Sequence, residues 1–321
     1  MTPLTRAAGL ATAALLATSL LAGCGDDDPE PTSGDRADDP AAIPSASDDA
    51  PSESATSDAG ETGEPSSEPT EATSEPAEEA ETVPVYFTGD SPTGQRLYRE
   101  FHPLTGDDAM TEAAALLVAG DAFDPDYGTL LDGVDVARVE QADGAIVVTL
   151  GEESLTQAGK GLSPDDAATA VQSLVYTLQG VAGTREPVRV QLANGDPVDL
   201  FGQPTGDGMK AGQQLEVLSL VNLDLPEEGT VVDDGTLEIQ GVASSFEATV
   251  PFFVTDADGK EVLRDFTTAD GWIDRLYPWE AELDVSSLPP GDYVLHAQTD
   301  DPTGGTEGPG PYEDTRAFTI G

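Results

Sequence analysis

The sequence has very little of the chemistry on which most catalytic and metal sites depend. Its 321 residues include one cysteine, two histidines and two tryptophans. A single cysteine excludes a disulfide within the chain and, with so few histidines, a metal site built from cysteine and histidine. Basic residues are also scarce, with 13 Lys and Arg against 62 Asp and Glu and a formal net charge of −49. Because binding to nucleic acid needs clustered cations that neutralise phosphates, this balance excludes a nucleic-acid partner.

Aromatic residues are absent from the first quarter of the chain. Residues 25–83 contain 19 acids and one base, whereas all 18 aromatic residues lie in residues 84–321. A segment without large apolar side chains cannot offset the entropy lost on ordering. We therefore predict a disordered acidic linker of Ser, Thr, Pro and Glu at residues 24–83. It would serve as a spacer between membrane and wall, as a solubilising tail, or as a collector of Ca²⁺.

The N-terminus has the pattern of an export signal over residues 1–23. Arg6 precedes the apolar stretch Leu10–Ala22, which is too short to span a bilayer. The stretch ends in Leu21-Ala22-Gly23-Cys24, which resembles the bacterial lipoprotein signal. The resemblance implies cleavage after Gly23, a diacylglycerol group joined to Cys24 by a thioether (with palmitate among its acyl chains) and anchoring on the extracytoplasmic face of the cell membrane. The alternative is a secretory peptide in which Cys24 is incidental.

Residues 84–201 alternate strand and helix patterns. Apolar residues at helical spacing from Met110 to Leu117 indicate a helix that Gly120 ends, and Ser163-Pro164-Asp165-Asp166 is a strong helix start. Asp143-Gly144 is a favoured hairpin turn. The predicted order is β(β)αββαβ, with two helices on a small mixed sheet. The predicted strands cover residues 85–87, 97–104, 134–139, 145–150 and 188–192.

Several segments of this region resemble the GerM-type (GerMN) domain of bacterial sporulation and germination proteins. They are VPVYFTGD at residues 83–90, LYREFHPL at 97–104, EAAALLVAG at 112–120 and QSLVYTLQGVAG at 172–183. The resemblance implies an α+β domain that serves envelope or germination machinery. It also allows self-assembly, because related modules build rings.

The remainder of the chain lacks helical patterns. Residues 202–214 are rich in glycine and are predicted to form a hinge, and residues 215–321 to form an all-β immunoglobulin-like sandwich. Alternation places Tyr293, Leu295 and Ala297 in its core, and Pro251 predicts an edge or bulged strand. The predicted strands cover residues 215–223, 235–242, 249–255, 262–267, 279–285, 292–299 and 315–320.

Three short segments of this second region resemble the immunoglobulin-like domain of bacterial spore-germination proteins. They are ASSFEATV at residues 243–250, PWEA at 278–281 and GDY at 291–293. Such domains commonly follow a GerM-type domain, so the order of the two regions supports both resemblances.

No set of residues stands out as catalytic, and no cofactor or metal is expected. A serine triad would need His102 or His296 beside a nucleophile. Ser91 is followed by Pro92, whereas the nucleophile loop of a serine protease has a glycine at this position. Ser91 is therefore predicted to lie in a turn and not to be a nucleophile. The acid-rich segment Asp121–Gly128 lacks the ligand spacing of an EF-hand, and it is either a loop or a Ca²⁺ site.

Trp272, Tyr277 and Trp279 lie within eight residues of one another and are the candidate binding residues. Such aromatic side chains stack on a glycan or on a partner protein. Alternatively, one of them lies in the core and another fills a loop.

The favoured hypothesis is a non-catalytic lipoprotein with protein-binding modules on the outer face of the membrane. It would act in envelope assembly, in sporulation- or germination-like processes or in sensing, with an unidentified envelope protein as partner. The alternative is a cell-wall protein that binds, or hydrolyses, peptidoglycan or polysaccharide.

Overall fold

The computed structural model describes residues 81–321, which form two domains. The predicted signal at residues 1–23, the predicted lipidation site Cys24 and nearly all of the predicted linker lie outside the described residues. None of the helices in the described part of the chain is long and apolar enough to cross a membrane.

The first domain is a mixed α+β fold, as predicted. Its strands form two three-stranded sheets, in the orders β2-β1-β3 and β4-β5-β6, and β5 and β6 are parallel. The predicted first two strands are longer than expected, because they form one hairpin with a turn at Pro92-Thr93. The elements are β1 (Glu81–Ser91), β2 (Gly94–Leu104), α1 (Ala109–Ala119), β3 (Tyr127–Gly128), β4 (Val136–Ala142), β5 (Ala145–Leu150), α2 (Pro164–Val181) and β6 (Val188–Gln191).

Both helices begin and end at residues that satisfy their backbone groups. The Ser163 hydroxyl accepts a hydrogen bond from the Asp166 amide at 3.0 Å, and Pro164 occupies the first turn of α2. Gly120 ends α1 with φ of 71°, a conformation that glycine adopts without strain. The buried face of α1 carries Ala113, Ala114 and Leu117, in agreement with the predicted helical spacing.

The segment predicted as a hinge packs against the first domain. Met209 pairs with Val188, with N–O distances of 2.7 and 2.8 Å. The buried Thr205 hydroxyl donates to the Val198 carbonyl at 2.6 Å. The prediction of a strand beginning at Leu215 is wrong at its start, because Gln214–Val217 forms one helical turn, α3, that brings Leu218 into a small buried cluster.

The second domain is an all-β sandwich, as predicted. A five-stranded sheet in the order β11-β10-β13-β14-β8 faces a three-stranded sheet in the order β12-β9-β7. The short strand β8, parallel to β14, was not predicted. The strands are β7 (Val221–Leu225), β8 (Thr230–Val232), β9 (Thr236–Ala243), β10 (Thr249–Asp256), β11 (Glu261–Thr268), β12 (Tyr277–Asp284), β13 (Gly291–Gln298) and β14 (Glu313–Ile320).

The prediction that Pro251 marks an edge or bulged strand is wrong, because β10 is an inner strand and its register shift lies between Val254 and Thr255, not at Pro251. Pro251 pairs with Phe266 of β11, but the pairing of β10 with β13 starts only at Phe252. The proline therefore lies just outside the second ladder, where a missing N–H costs no sheet hydrogen bond. The predicted core positions Tyr293 and Leu295 are both buried.

Candidate functional site

A buried ionic network joins the two domains. Arg316 on β14 forms ion pairs with Asp124 of the first domain and with Asp314, the latter at 3.3 Å. Its guanidinium also donates to the Leu223 carbonyl at 2.9 Å. Tyr127 donates its hydroxyl to Asp314, and burial raises the pKa of this phenol, which keeps it protonated as a donor. These contacts bind a loop of the first domain to β14 in the five-stranded sheet of the sandwich.

Glu100 on β2 holds the loop that presents Asp124. Its carboxylate accepts hydrogen bonds from the backbone amides of Phe123 and Asp124, at 2.9 and 2.8 Å, and from His102 at 2.9 Å. Burial alone would raise the pKa of Glu100. The hydrogen bonds from His102 and from the two amides outweigh burial and lower it below its usual value. An ionised Glu100 therefore fixes the loop against the second domain.

The second domain also covers part of the exposed edge of β2. The Asn222 side chain accepts from the Arg99 amide at 2.6 Å and donates to the Arg99 carbonyl at 3.2 Å. The Ser219 amide donates to the Leu97 carbonyl at 2.9 Å. The Arg99 guanidinium reaches both carboxylate oxygens of Asp224. An amide side chain thus takes the place of a neighbouring strand.

The network has more acid than base, since Asp124 and Asp314 share Arg316. Burial raises the pKa of Asp124 to about 7, an effect that Arg316 reduces and that Asp314 increases. Burial also raises the pKa of Asp314. A carboxyl whose pKa is higher in the folded than in the unfolded chain favours folding at low pH. Its contribution to the free energy of unfolding is complete when the pH is below the pKa of the unfolded chain. The contribution is lost as the pH rises through the pKa of the folded chain.

We therefore predict that wild type gains stability relative to an Asp124→Asn variant when the pH falls from about 8 to about 5. The expected relative gain is on the order of 1–2 kcal/mol, because asparagine cannot take up the proton. Urea unfolding of both proteins across this range measures it. Parallel pH profiles for the two proteins would contradict the prediction.

The structure separates the three candidate aromatic residues. Trp279 is buried in the sandwich core, opposite Gly241 on β9. It therefore has no exposed face for a ligand, and the prediction that Trp279 is a binding residue is wrong. Tyr277 is half-buried against Gly271, and its hydroxyl donates to Asp274 at 2.7 Å.

Trp272 lies in an exposed cluster of apolar side chains. Its ring meets that of Phe246 edge-on, with centroids 5.3 Å apart, and Ile273 beside it is 63% exposed. Ile273 has φ of 89°, which is unusual for a β-branched residue and indicates strain. The Ser244 hydroxyl accepts from its amide at 3.2 Å. We call Phe246, Trp272 and Ile273 the loop cluster.

The other residues considered as catalytic or metal-binding have structural roles. His102 is buried on Glu100, and His296 stacks on Phe253 with centroids 4.4 Å apart. The Ser91 hydroxyl donates to the Gly94 carbonyl within a turn. Within residues 81–321 no group of three or more acidic, histidine or cysteine side chains is arranged to hold a metal. The segment Asp121–Gly128 is a loop up to Asp126 that leads into β3, and it contributes Asp124 and Tyr127 to the domain junction.

The junction residues were missed in the sequence, although a signal for them exists. In β14, Asp314 and Arg316 alternate in phase with Phe318 and Ile320, and all four are buried. Two opposite charges on the apolar face of a strand require partners. The pattern could have identified a buried ion pair, but not its partner Asp124, which lies 192 residues away.

Comparisons with known proteins agree with this architecture. Residues 84–199 match a family model described as sporulation and spore germination. Residues 220–306 match the immunoglobulin-like domain of bacterial spore germination. Neither description names an enzymatic activity. No curated protein is significantly similar to the chain.

Two solved structures are similar to parts of the chain. The tandem GerMN domains of the sporulation protein GerM from Bacillus subtilis match with 17% identity and a TM-score of 0.32, covering 65% of this chain and 63% of that one. An engineered protein matches with 13% identity and a TM-score of 0.26, covering 48% and 36%. This chain thus spans less than two thirds of either structure.

The two family matches are consecutive: the first spans most of the α+β domain, and the second spans the sandwich up to residue 306, before β14. Over these two ranges the chain therefore matches the sporulation and spore germination family and, after it, the immunoglobulin-like domain of bacterial spore germination.

Proposed function

We propose that the protein is a lipid-anchored component of the cell envelope that binds another envelope protein without catalysing a reaction. The two germination-associated domains support a role in sporulation- or germination-like processes or in envelope assembly. The export signal with Cys24 at its end supports an anchor on the outer face of the membrane. The acidic linker then carries the two domains away from the lipid surface.

The loop cluster is the observation that supports protein binding most directly. Apolar rings at a surface are costly to leave exposed, and aromatic anchors contribute most of the binding energy at many interfaces. The positive φ of Ile273, Glu247 and Ala248 shows that the local backbone holds the cluster in place at the expense of strain. Strain of this kind concentrates at binding sites.

A Trp272→Ala variant is expected to lose partner binding without losing stability. The Trp272 side chain is 38% exposed, its ring meets that of Phe246, and it is not part of the buried core of the sandwich, so its removal leaves that core intact. The measurement is cross-linking in cells with a photoreactive residue at position 246, in wild type and in the variant. We expect a discrete protein adduct in wild type that falls about tenfold in the variant.

Phe266 provides a matched control for this experiment. It is 64% exposed, and it lies on β11 of the same domain. A Phe266→Ala variant should keep the adduct, and all three proteins should share one unfolding midpoint. An adduct that survives Trp272→Ala, or no protein adduct in wild-type cells, would overturn the proposed contact surface.

A further inference from the structure

A cleft of about 370 Å³ opens where the two domains separate beyond the ionic network. Its walls come from the outer edge of β2, from the loop after α1 and from the segment around β7 of the sandwich. The lining residues used below are Phe101, Phe123, Asp224, Glu227 and Glu228.

Two phenyl rings each present one free face at this cleft. Phe123 stacks on His102 with centroids 4.1 Å apart and an interplanar angle of 8°, yet it remains 54% exposed. Phe101 is 40% exposed and has the Arg99 guanidinium 4.9 Å from its ring centroid. Each ring is therefore fixed on one side and available on the other. Free aromatic faces attract cations and apolar side chains.

The uncompensated charge at the cleft is negative. Arg316 is neutralised by Asp124 and Asp314, and Asp224 pairs with Arg99. Glu227 and Glu228 form no ion pair with another part of residues 81–321. These two carboxylates therefore add uncompensated negative charge to the cleft, and this charge favours a basic occupant.

The backbone of β2 is open at the same place. Phe101 lies opposite Pro84 in the hairpin, and Pro84 has no N–H to offer. The amide and carbonyl of Arg99 face the outer edge of β2, where both form hydrogen bonds with the Asn222 side chain. Backbone groups two residues apart in a strand face the same side, so the amide and carbonyl of Phe101 also face this edge. Within the described residues no group of the second domain bonds the backbone of Phe101. An extended chain could therefore add to this edge.

We infer that the cleft is a docking site for an extended basic segment of a partner protein. The segment pairs with the Phe101 backbone, and its Arg or Lys side chains meet the free ring faces and the carboxylates of Glu227 and Glu228. The inference rests on the proposed protein-binding function and adds a contact that is separate from the loop cluster. An acidic segment, including residues 25–83 of this chain, is disfavoured by the same charges.

The test uses the purified full chain and a synthetic peptide of alternating arginine and valine with a photoreactive benzophenone at one end. Fluorescence anisotropy measures its affinity, and mass spectrometry locates the adducts. We expect adducts at the cleft and about tenfold weaker binding after Glu227→Gln with Glu228→Gln. Replacing the arginines of the peptide by citrulline, which is neutral and nearly isosteric, should also abolish binding.

Matched variants separate the cleft from the general acidity of the chain. Glu152→Gln with Glu153→Gln removes the same charge from an exposed pair of neighbouring glutamates outside the cleft and should leave the affinity unchanged. Phe101→Ala should weaken binding, whereas Phe266→Ala should not. Because Phe123 covers the buried His102, Phe123→Ala is used only if its unfolding midpoint equals that of wild type.

Adducts confined to residues 25–83, or an equal loss of affinity in the control pair, would overturn the inference. So would concentration-dependent dimerisation that the cleft variants abolish, since the occupant would then be a second copy. The Trp272→Ala variant should bind the peptide normally. If the peptide fails to bind while the Trp272-dependent adduct persists in cells, the cleft is refuted and the proposed function stands.

Discussion

Replacing Arg316 by methionine is expected to destabilise the protein by about 3–5 kcal/mol. Methionine has a similar length but no charge, so Asp124 and Asp314 would remain buried without their shared cation. The Leu223 carbonyl would also lose its donor. The free energy of unfolding from urea titration measures the effect. Because protonation of the two carboxyls removes the excess charge, the loss should shrink as the pH is lowered.

Arg264→Met provides the matched control. Arg264 forms an ion pair with Glu261 on β11 at 2.5 Å, but both side chains are exposed to solvent. Exposed pairs contribute little, so this variant should unfold almost as wild type does. A small and pH-independent loss in Arg316→Met would mean that the network does not hold the domains together.

Replacing Gly241 by alanine is expected to cost about 2–3 kcal/mol, in the upper part of the range for overpacked cores. A Cβ at this position would lie 2.1 Å from the Asn222 carbonyl oxygen and 2.9 Å from the Trp279 ring. The carbonyl belongs to the backbone of β7 and cannot move aside without disturbing the contact of Asn222 with β2. Thermal and urea unfolding of the variant should both show the loss.

Gly128→Ala separates crowding from the general effect of removing a strand glycine. Gly128 lies in β3, and a Cβ added there meets no atom within 4 Å. This control should change stability by less than the Gly241 variant. Equal effects of the two substitutions would show that the close approach of β7 to β9 does not limit the side chain at position 241.

The fold class could be predicted from the sequence because local signals agree with the tertiary structure. Ser163-Pro164 and Gly120 mark helix ends by backbone chemistry that acts within a few residues. The alternation of Tyr293 and Leu295 matches the buried side of β13. These features need no information about distant parts of the chain.

The candidate sites could be predicted only in part, because they depend on long-range contacts. The sequence alone does not distinguish Trp272 from Trp279, because both are tryptophans in the same short segment. Which of them is buried depends on the sheet register, which places Trp279 opposite Gly241. Asp124 looked like part of a solvent-exposed or ion-binding loop, since its partner Arg316 is distant in sequence. The helical turn at Gln214–Val217 was missed because its tertiary contacts override an apolar pattern that favours a strand.

We propose that lipid-modified Cys24 holds the two germination-type domains outside the cell. Metabolic labelling with radioactive palmitate, combined with protease treatment of intact cells, tests it most directly. We predict label in the wild-type chain, no label after Cys24→Ser, and digestion of the wild-type domains from outside. An unlabelled wild-type chain that stays protected inside intact cells would contradict the account.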